Sequence, residues 1–272
     1  AEVDSNGSVA PTCLDGQPTP IVTIPTTFAG ADLTRGSSVA VSDFEEPPVG
    51  ESNRIRVSDE CLLPTASLYD PELFATTPTR VLAGSAMNGF NKGIESIYSR
   101  YAKPTLDANA THGVRLMRCA LGQVADGDDS APLDRAVVGS MLVQLDRKTS
   151  IVHAFGHAVS RPYEVQQGVV HGIFVPHVLE YVLENADARP ETLAAGLGVD
   201  AESRTDEDTA EAIVAAVTTV RDSLGTPTRL RTVADLGRDD FRSIAEYVVD
   251  DSPMANAPVG LEPSVSDMED LL

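Results

Sequence analysis

Two pairs of polar residues in this chain sit four positions apart, the spacing that puts side chains on one face of a helix. One pair is His153 and His157; the other is Asn88 and Lys92. The segment from His153 to His177 holds four of the five histidines, His153, His157, His171 and His177. Two imidazoles on one helical face can bind a divalent metal, or set a ligand beside a proton shuttle. The spacing alone is weak, because a single helical histidine is more often structural. Lys92 lies between Phe90 and Ile94 in an apolar, glycine-containing stretch, where a lysine ordinarily snorkels to the surface. The chain has nearly dispensed with lysine, however, keeping only Lys92, Lys103 and Lys148. A third group is the loop Pro25-Thr-Thr-Phe-Ala-Gly30, whose Thr26, Thr27 and Gly30 suit a phosphate or a ribose, though such turns are generic. No GxGxxG and no Walker A motif occurs.

The elements that must position these groups change character near residue 79. Before it, short strands are expected at 21–24, 37–42 and 54–57, with another ending at 67–69; the 37–42 and 54–57 strands form a hairpin around Pro47, Pro48 and Gly50. After it, apolar periodicity predicts helices over 79–101, 105–122, 131–148, 150–160, 168–185, 205–224, 239–249 and 265–271. Thr105, Ser150 and Thr205 are the expected caps, and Pro176 is expected to bend or start its helix. The fold class is an α/β remnant plus an all-α part, with residues 1–78 as one domain and 79–272 as a helical catalytic domain.

Composition narrows the function classes. There are 272 residues, 41 acidic against 20 basic, and a formal net charge of −21. Such acidity with so little lysine and no tryptophan reads as adaptation to salt. A basic face for phosphate backbones cannot form, so no nucleic-acid partner is expected. No apolar run reaches the roughly 18 residues of a membrane span, so no membrane partner is expected. Cys13, Cys61 and Cys119 are odd in number and widely spaced, which fits reduced thiols and a cytoplasmic location.

Five blocks, in order, resemble the iron-containing alcohol dehydrogenase family: PTTFAGADLT (25–34), LLPTASLYDPELFATTP (62–78), GSAMNGFNKGIESIYS (84–99), the segment 153–177, and DSPMANAP (251–258). The first two are most similar to its maleylacetate reductase branch. The resemblance implies a dinucleotide-binding α/β domain followed by a helical domain, with NAD or NADP as cofactor and a small alcohol or carbonyl compound as substrate. A homo-oligomer is left open. In the family the glycine-rich pyrophosphate turn precedes the PTT motif. This chain has no such turn, so a member lacking its N-terminal part is expected. Thr26 and Thr27 match family threonines that contact the cofactor.

The resemblance also implies a metal site, with its ligands rewritten here. The family's Asp position is Asn88, its first His position Lys92, its third ligand position His153 and its fourth Gln167. His157 matches a histidine beside the nicotinamide, His171 follows Gln167 by one turn and could partly substitute for it, and His177 falls in a Pro-His element read as structural. Zinc and iron want several anionic or imidazole ligands. An ammonium at about 4 Å would repel a dication by several kcal/mol at intermediate dielectric. A divalent metal is therefore not expected. Lys92 would polarise the carbonyl or stabilise the alkoxide, with His153 or His157 moving the proton. A non-redox carbonyl or lyase-type member, or a non-catalytic helical subunit, are the alternative readings.

Overall fold

The computed structural model describes residues 8–9, 19–40, 54–125 and 133–272, and divides the chain into two compact units. The smaller comprises residues 1–25 and 30–70. In it β1 (Ser8–Val9) lies parallel to β4 (Arg54–Ser58), which pairs antiparallel with β3 (Gly36–Ala40). The expected pairing of the two longer strands is present; the turn around Pro47, Pro48 and Gly50 lies outside the described residues. A second, parallel pair joins β2 (Val22–Thr23) to β5 (Ala66–Ser67), and the Thr23 and Ser67 hydroxyls bond across it at 2.7 Å.

The larger unit comprises residues 26–29 and 71–272 and is helical. It contains α1 (Pro71–Ala75), α2 (Thr79–Tyr98), α3 (Pro104–Ala125), α4 (Leu133–Gln144), α5 (Ile151–Ser160), α6 (Gln167–Asn185), α7 (Pro190–Leu197), α8 (Asp206–Ser223), α9 (Arg238–Asp250) and α10 (Val265–Asp270). The short α1 and α7 are not expected from the sequence; α10, shorter still than α7, is, and it opens with a Ser264–Asp267 capping box.

Helix α2 is the axis of this unit. Every residue from Leu82 to Tyr98 is buried, and the helix packs against α3, α4 and α6, with fewer contacts to α5 and α7. A helix enclosed on all sides would ordinarily be apolar throughout. This one buries Ser85, Asn88, Asn91, Lys92, Glu95 and Ser96 as well. Buried polar groups ordinarily need partners, and Ser85, Lys92, Glu95 and Ser96 find theirs in neighbouring side chains and backbone.

The helix ends correct three expectations. Helix α3 starts at Pro104, with Thr105 inside it rather than capping it; proline suits a first helical position because its missing N–H has no partner there anyway. Ser150 makes no side-chain cap to α5, and its buried hydroxyl has no hydrogen-bond partner. Pro176 neither starts nor ends α6, which runs unbroken through it. Val175, Pro176, Val178 and Leu179 are all buried, and that packing offsets the lost N–H bond. Thr205 does cap α8, its hydroxyl accepting from the Asp208 N–H at 3.1 Å.

Candidate active site

Helices α2, α5 and α6 bring the sequence-selected residues together because glycines let their backbones approach. A Cβ added at Gly168 would lie 1.6 Å from the Gly84 carbonyl oxygen and 3.2 Å from the Asn88 nitrogen. That contact sets the first turn of α6, with Gln167, against the Asn88 turn of α2. A Cβ at Gly156 would lie 2.3 Å from His171 Nε2 and 3.0 Å from the Gln167 Cγ. Gly156 thus leaves room for an imidazole between α5 and α6. The His153 and His171 rings face each other there, centroids 4.2 Å apart.

Lys92 is 6% exposed. Its Nζ donates to the Ala29 carbonyl and, at 3.2 Å, to Gln144 Oε1 at the end of α4. The 26–29 loop is held by two further bonds: the Phe28 N–H donates to Ser85 Oγ of α2 at 3.2 Å, and Thr77 Oγ1, just before α2, donates to the Thr26 carbonyl at 2.8 Å. Close packing of the Phe28 backbone over Gly89 completes the seat, since a Cβ at Gly89 would lie 2.7 Å from the Phe28 carbonyl oxygen. Lys92 therefore does not snorkel. Its ammonium is fixed inside the bundle, and its field is one of the causes that lower the basicity of His153.

One residue central to this arrangement was not singled out from the sequence. Glu95 follows Lys92 by three positions, is fully buried, and reaches α5 with both carboxylate oxygens. Oε1 accepts from the Val152 N–H at 2.8 Å and the His153 N–H at 3.2 Å, with the Tyr98 hydroxyl at 3.4 Å. Oε2 meets His153 Nδ1. Glu95 is therefore the cap of α5, supplied from another helix in place of Ser150. The spacing 88, 92, 95 is a helical stripe, so the signal was present, but a glutamate seven residues from an asparagine carries no motif.

Burial sets the ionisation of this cluster. It pushes the Glu95 carboxyl up to about 8, against the downward pull of N–H donors at Ser150, Val152 and His153. His153 and His171 are both held well below the usual imidazole range, first by burial and then by neighbouring positive groups, Lys92 among them. Among the described residues, the side-chain atoms buried without a hydrogen-bond partner include Asn88 Oδ1, Asn91 Oδ1, His153 Nε2 and both ring nitrogens of His171. Unpartnered polar atoms concentrated on neighbouring turns are unusual in a folded interior, which makes this cluster the candidate site.

The other expected residues are placed as follows. His157 lies on α5, partly buried, with Nδ1 at 2.6 Å from Asp251 Oδ2. Asp251 belongs to the DSPMANAP block. His177 is exposed and lines a cavity of about 800 Å³ with Arg229, Arg231 and Arg238, so it is not a core histidine. Thr26 is exposed and Thr27 half-buried. Gly30 is buried with a φ of 66°, a left-handed conformation that favours glycine, and belongs to the smaller unit.

The donor set at the expected ligand positions is two amides, an ammonium and one imidazole. Lys92 and the imidazole of His153, already turned by Nδ1 toward Glu95, leave no anionic ligand for a dication, and among the described residues no three His, Cys, Asp or Glu side chains converge. This set does not fit iron or zinc.

Residues 82–272 match the model of the C-terminal part of the Fe-containing alcohol dehydrogenase family. The chain is 30% identical over 205 residues to a 1,3-propanediol dehydrogenase of Klebsiella pneumoniae, covering 72% of this chain and 51% of that protein. It is 30% identical over 202 residues to a maleylacetate reductase of Burkholderia cepacia, covering 71% and 53%. The chain thus spans about half the length of these relatives. Its fold is that of an alcohol dehydrogenase from Oenococcus oeni, with a TM-score of 0.83 at 23% identity over 98% of this chain and 68% of that one. Among the described residues no helix is long and apolar enough to cross a membrane.

Proposed function

Because this chain belongs to the Fe-containing alcohol dehydrogenase family, we propose that it carries the substrate-activating part of an oxidoreductase. The reaction is hydride transfer between a nicotinamide cofactor, NAD or NADP, and the carbinol carbon of a small alcohol or its carbonyl counterpart. The observation that carries this reading is the buried ammonium of Lys92 beside the His153–His171 pair, at the family's ligand position.

An alcohol losing a hydride must also lose its hydroxyl proton, and the reverse reaction must neutralise an alkoxide. A fixed positive charge in a low-dielectric interior stabilises that alkoxide and polarises the carbonyl. Lys92 is suited to this, since the Ala29 carbonyl and Gln144 hold it in place before substrate arrives. His153 or His157 moves the proton. An ammonium is a weaker electrophile than a dication, so the substrate carbonyl is expected to be an activated one. Thr26 and Thr27 are assigned to the cofactor by the same family likeness, with Gly30 turning the chain after them. In the whole protein, Lys92→Ala is expected to abolish turnover while a chelator leaves it unchanged. Loss of activity with chelator, restored by zinc or iron, would overturn the metal-free reading.

A further inference from the structure

We infer that Glu95 is a positioning residue that decides which ring nitrogen of His153 carries a proton, and so whether Nε2 accepts or donates one. This rests on the reading that His153 serves the reaction. The geometry behind it is the division of labour between the two carboxylate oxygens. Oε1 is committed as an acceptor by the Val152 and His153 N–H groups at 2.8 and 3.2 Å, with the Tyr98 hydroxyl at 3.4 Å. Two of these donors are backbone N–H groups, which can only donate, so Oε1 is held as an acceptor. Oε2 alone addresses His153 Nδ1.

An ionised carboxylate can only accept. With Glu95 ionised, Nδ1 must hold the proton and Nε2 is left as a bare acceptor. Nε2 is buried and has no hydrogen-bond partner, so nothing in the protein competes for that lone pair. The Asn91 amide lies 3.5 Å from Nδ1, too far to reverse the choice. Beyond burial, Lys92, Arg147 and His157 are the groups whose positive fields lower the ring's basicity and Asp251 the one that raises it; the His171 ring lies beside it, tilted by 50°. All of these act on the charge of the ring and none selects between its nitrogens. That selection belongs to Glu95.

A glutamine at 95 keeps the shape and inverts the instruction. Its carbonyl oxygen must take the Oε1 position, because an NH₂ there would face two N–H donors. Its NH₂ then occupies the Oε2 position and donates to Nδ1, which forces the proton onto Nε2. A merely structural role for Glu95 predicts no such inversion.

The test is a long-range ¹H–¹⁵N correlation spectrum of the chain labelled at histidine, recorded at pH about 9 so that the carboxyl is ionised. His153 is assigned by the signals lost in His153→Gln. The wild-type chain is expected to show His153 as the Nδ1–H tautomer and Glu95→Gln to show it as the Nε2–H tautomer. The same tautomer in both, or Nε2–H in the wild type, overturns the inference. Should Glu95→Gln not fold, the wild-type spectrum alone still decides. The spectrum does not depend on turnover. If turnover of the whole protein survives His153→Gln, the functional reading fails with the tautomer result intact. If turnover is lost but the tautomer does not invert, only the role of Glu95 fails.

Discussion

Glu95 and His153 are joined twice: one carboxylate oxygen takes the His153 backbone N–H at 3.2 Å, and the other meets the Nδ1 of the same residue's ring. The first contact fixes the start of α5 and the second fixes the imbalance of its imidazole. A single buried side chain therefore serves as helix cap and ring orienter, and the stability of the fold and the chemistry of the site respond to the same titration.

That titration has a defined sign. The folded pKa of Glu95 is raised to about 8 from an ordinary value of 4.5, so the folded chain holds a proton that the unfolded chain releases in between. Stability is full below the unfolded value and falls as pH rises toward 8. Between pH 6.5 and 8 the opposing effect of the two buried histidines fades as they lose their protons in the unfolded chain, and it cancels in a comparison with Glu95→Gln. Denaturant titrations across that window should show wild-type stability falling by about 1 kcal/mol or more relative to Glu95→Gln. Parallel curves for the two proteins would refute the assignment.

Below pH 6.5 the sign reverses. The folded pKa of His171 is depressed, so the unfolded chain takes up a proton that the folded chain refuses, and stability is lost as pH falls. His171→Phe should remove up to one proton of that dependence, about 1.4 kcal/mol per pH unit at most. The comparison is the difference between the variant and wild-type stability at pH values on either side of 6.5. An unchanged slope below 6.5 would show that His171 is solvated in the native chain.

Gly168→Ala should be severely destabilising. Its Cβ would fall 1.6 Å from the Gly84 carbonyl oxygen, a backbone atom that cannot turn aside as a side chain can. Helices α2 and α6 must separate, at a cost of roughly 3 kcal/mol or more. Thermal unfolding measures it; a midpoint within a degree or two of wild type would mean that the two helices do not meet as described.

With a formal net charge of −21, the chain should gain stability from salt that merely screens. Charge repulsion reaches about 30 Å at 0.01 M ionic strength and about 3 Å at 1 M. The unfolding midpoint is expected to rise by several degrees between those concentrations of potassium chloride. A flat or falling midpoint would show that the acidic surface is already neutralised by its own geometry.

Much of this was legible in the residues. Eight of the ten described helices announce themselves by apolar period, and the 88, 92 and 153–167 positions by spacing and by likeness to a family. What escaped is what depends on a partner far along the chain. Ser150 has the right chemistry for a cap, and nothing local says that a glutamate 55 residues earlier takes its place. Gln144 and the Ala29 carbonyl become partners of Lys92 only once α4 and the 26–29 loop have docked. A helix start at Pro176 was one outcome expected from a local rule, and α6 instead begins nine residues earlier, at Gln167, with its buried neighbours packed around the proline.

Helix α5 has ten residues, too few to hold together alone in water, and its first N–H groups find their acceptor only on α2. His153 therefore acquires its orientation in the same event that docks one helix on the other, while His157 waits for Asp251. Order of assembly is built into this interior: a nascent or partly opened chain leaves the His153 imidazole without its carboxylate, and the pair exists only once the two helices have closed on each other.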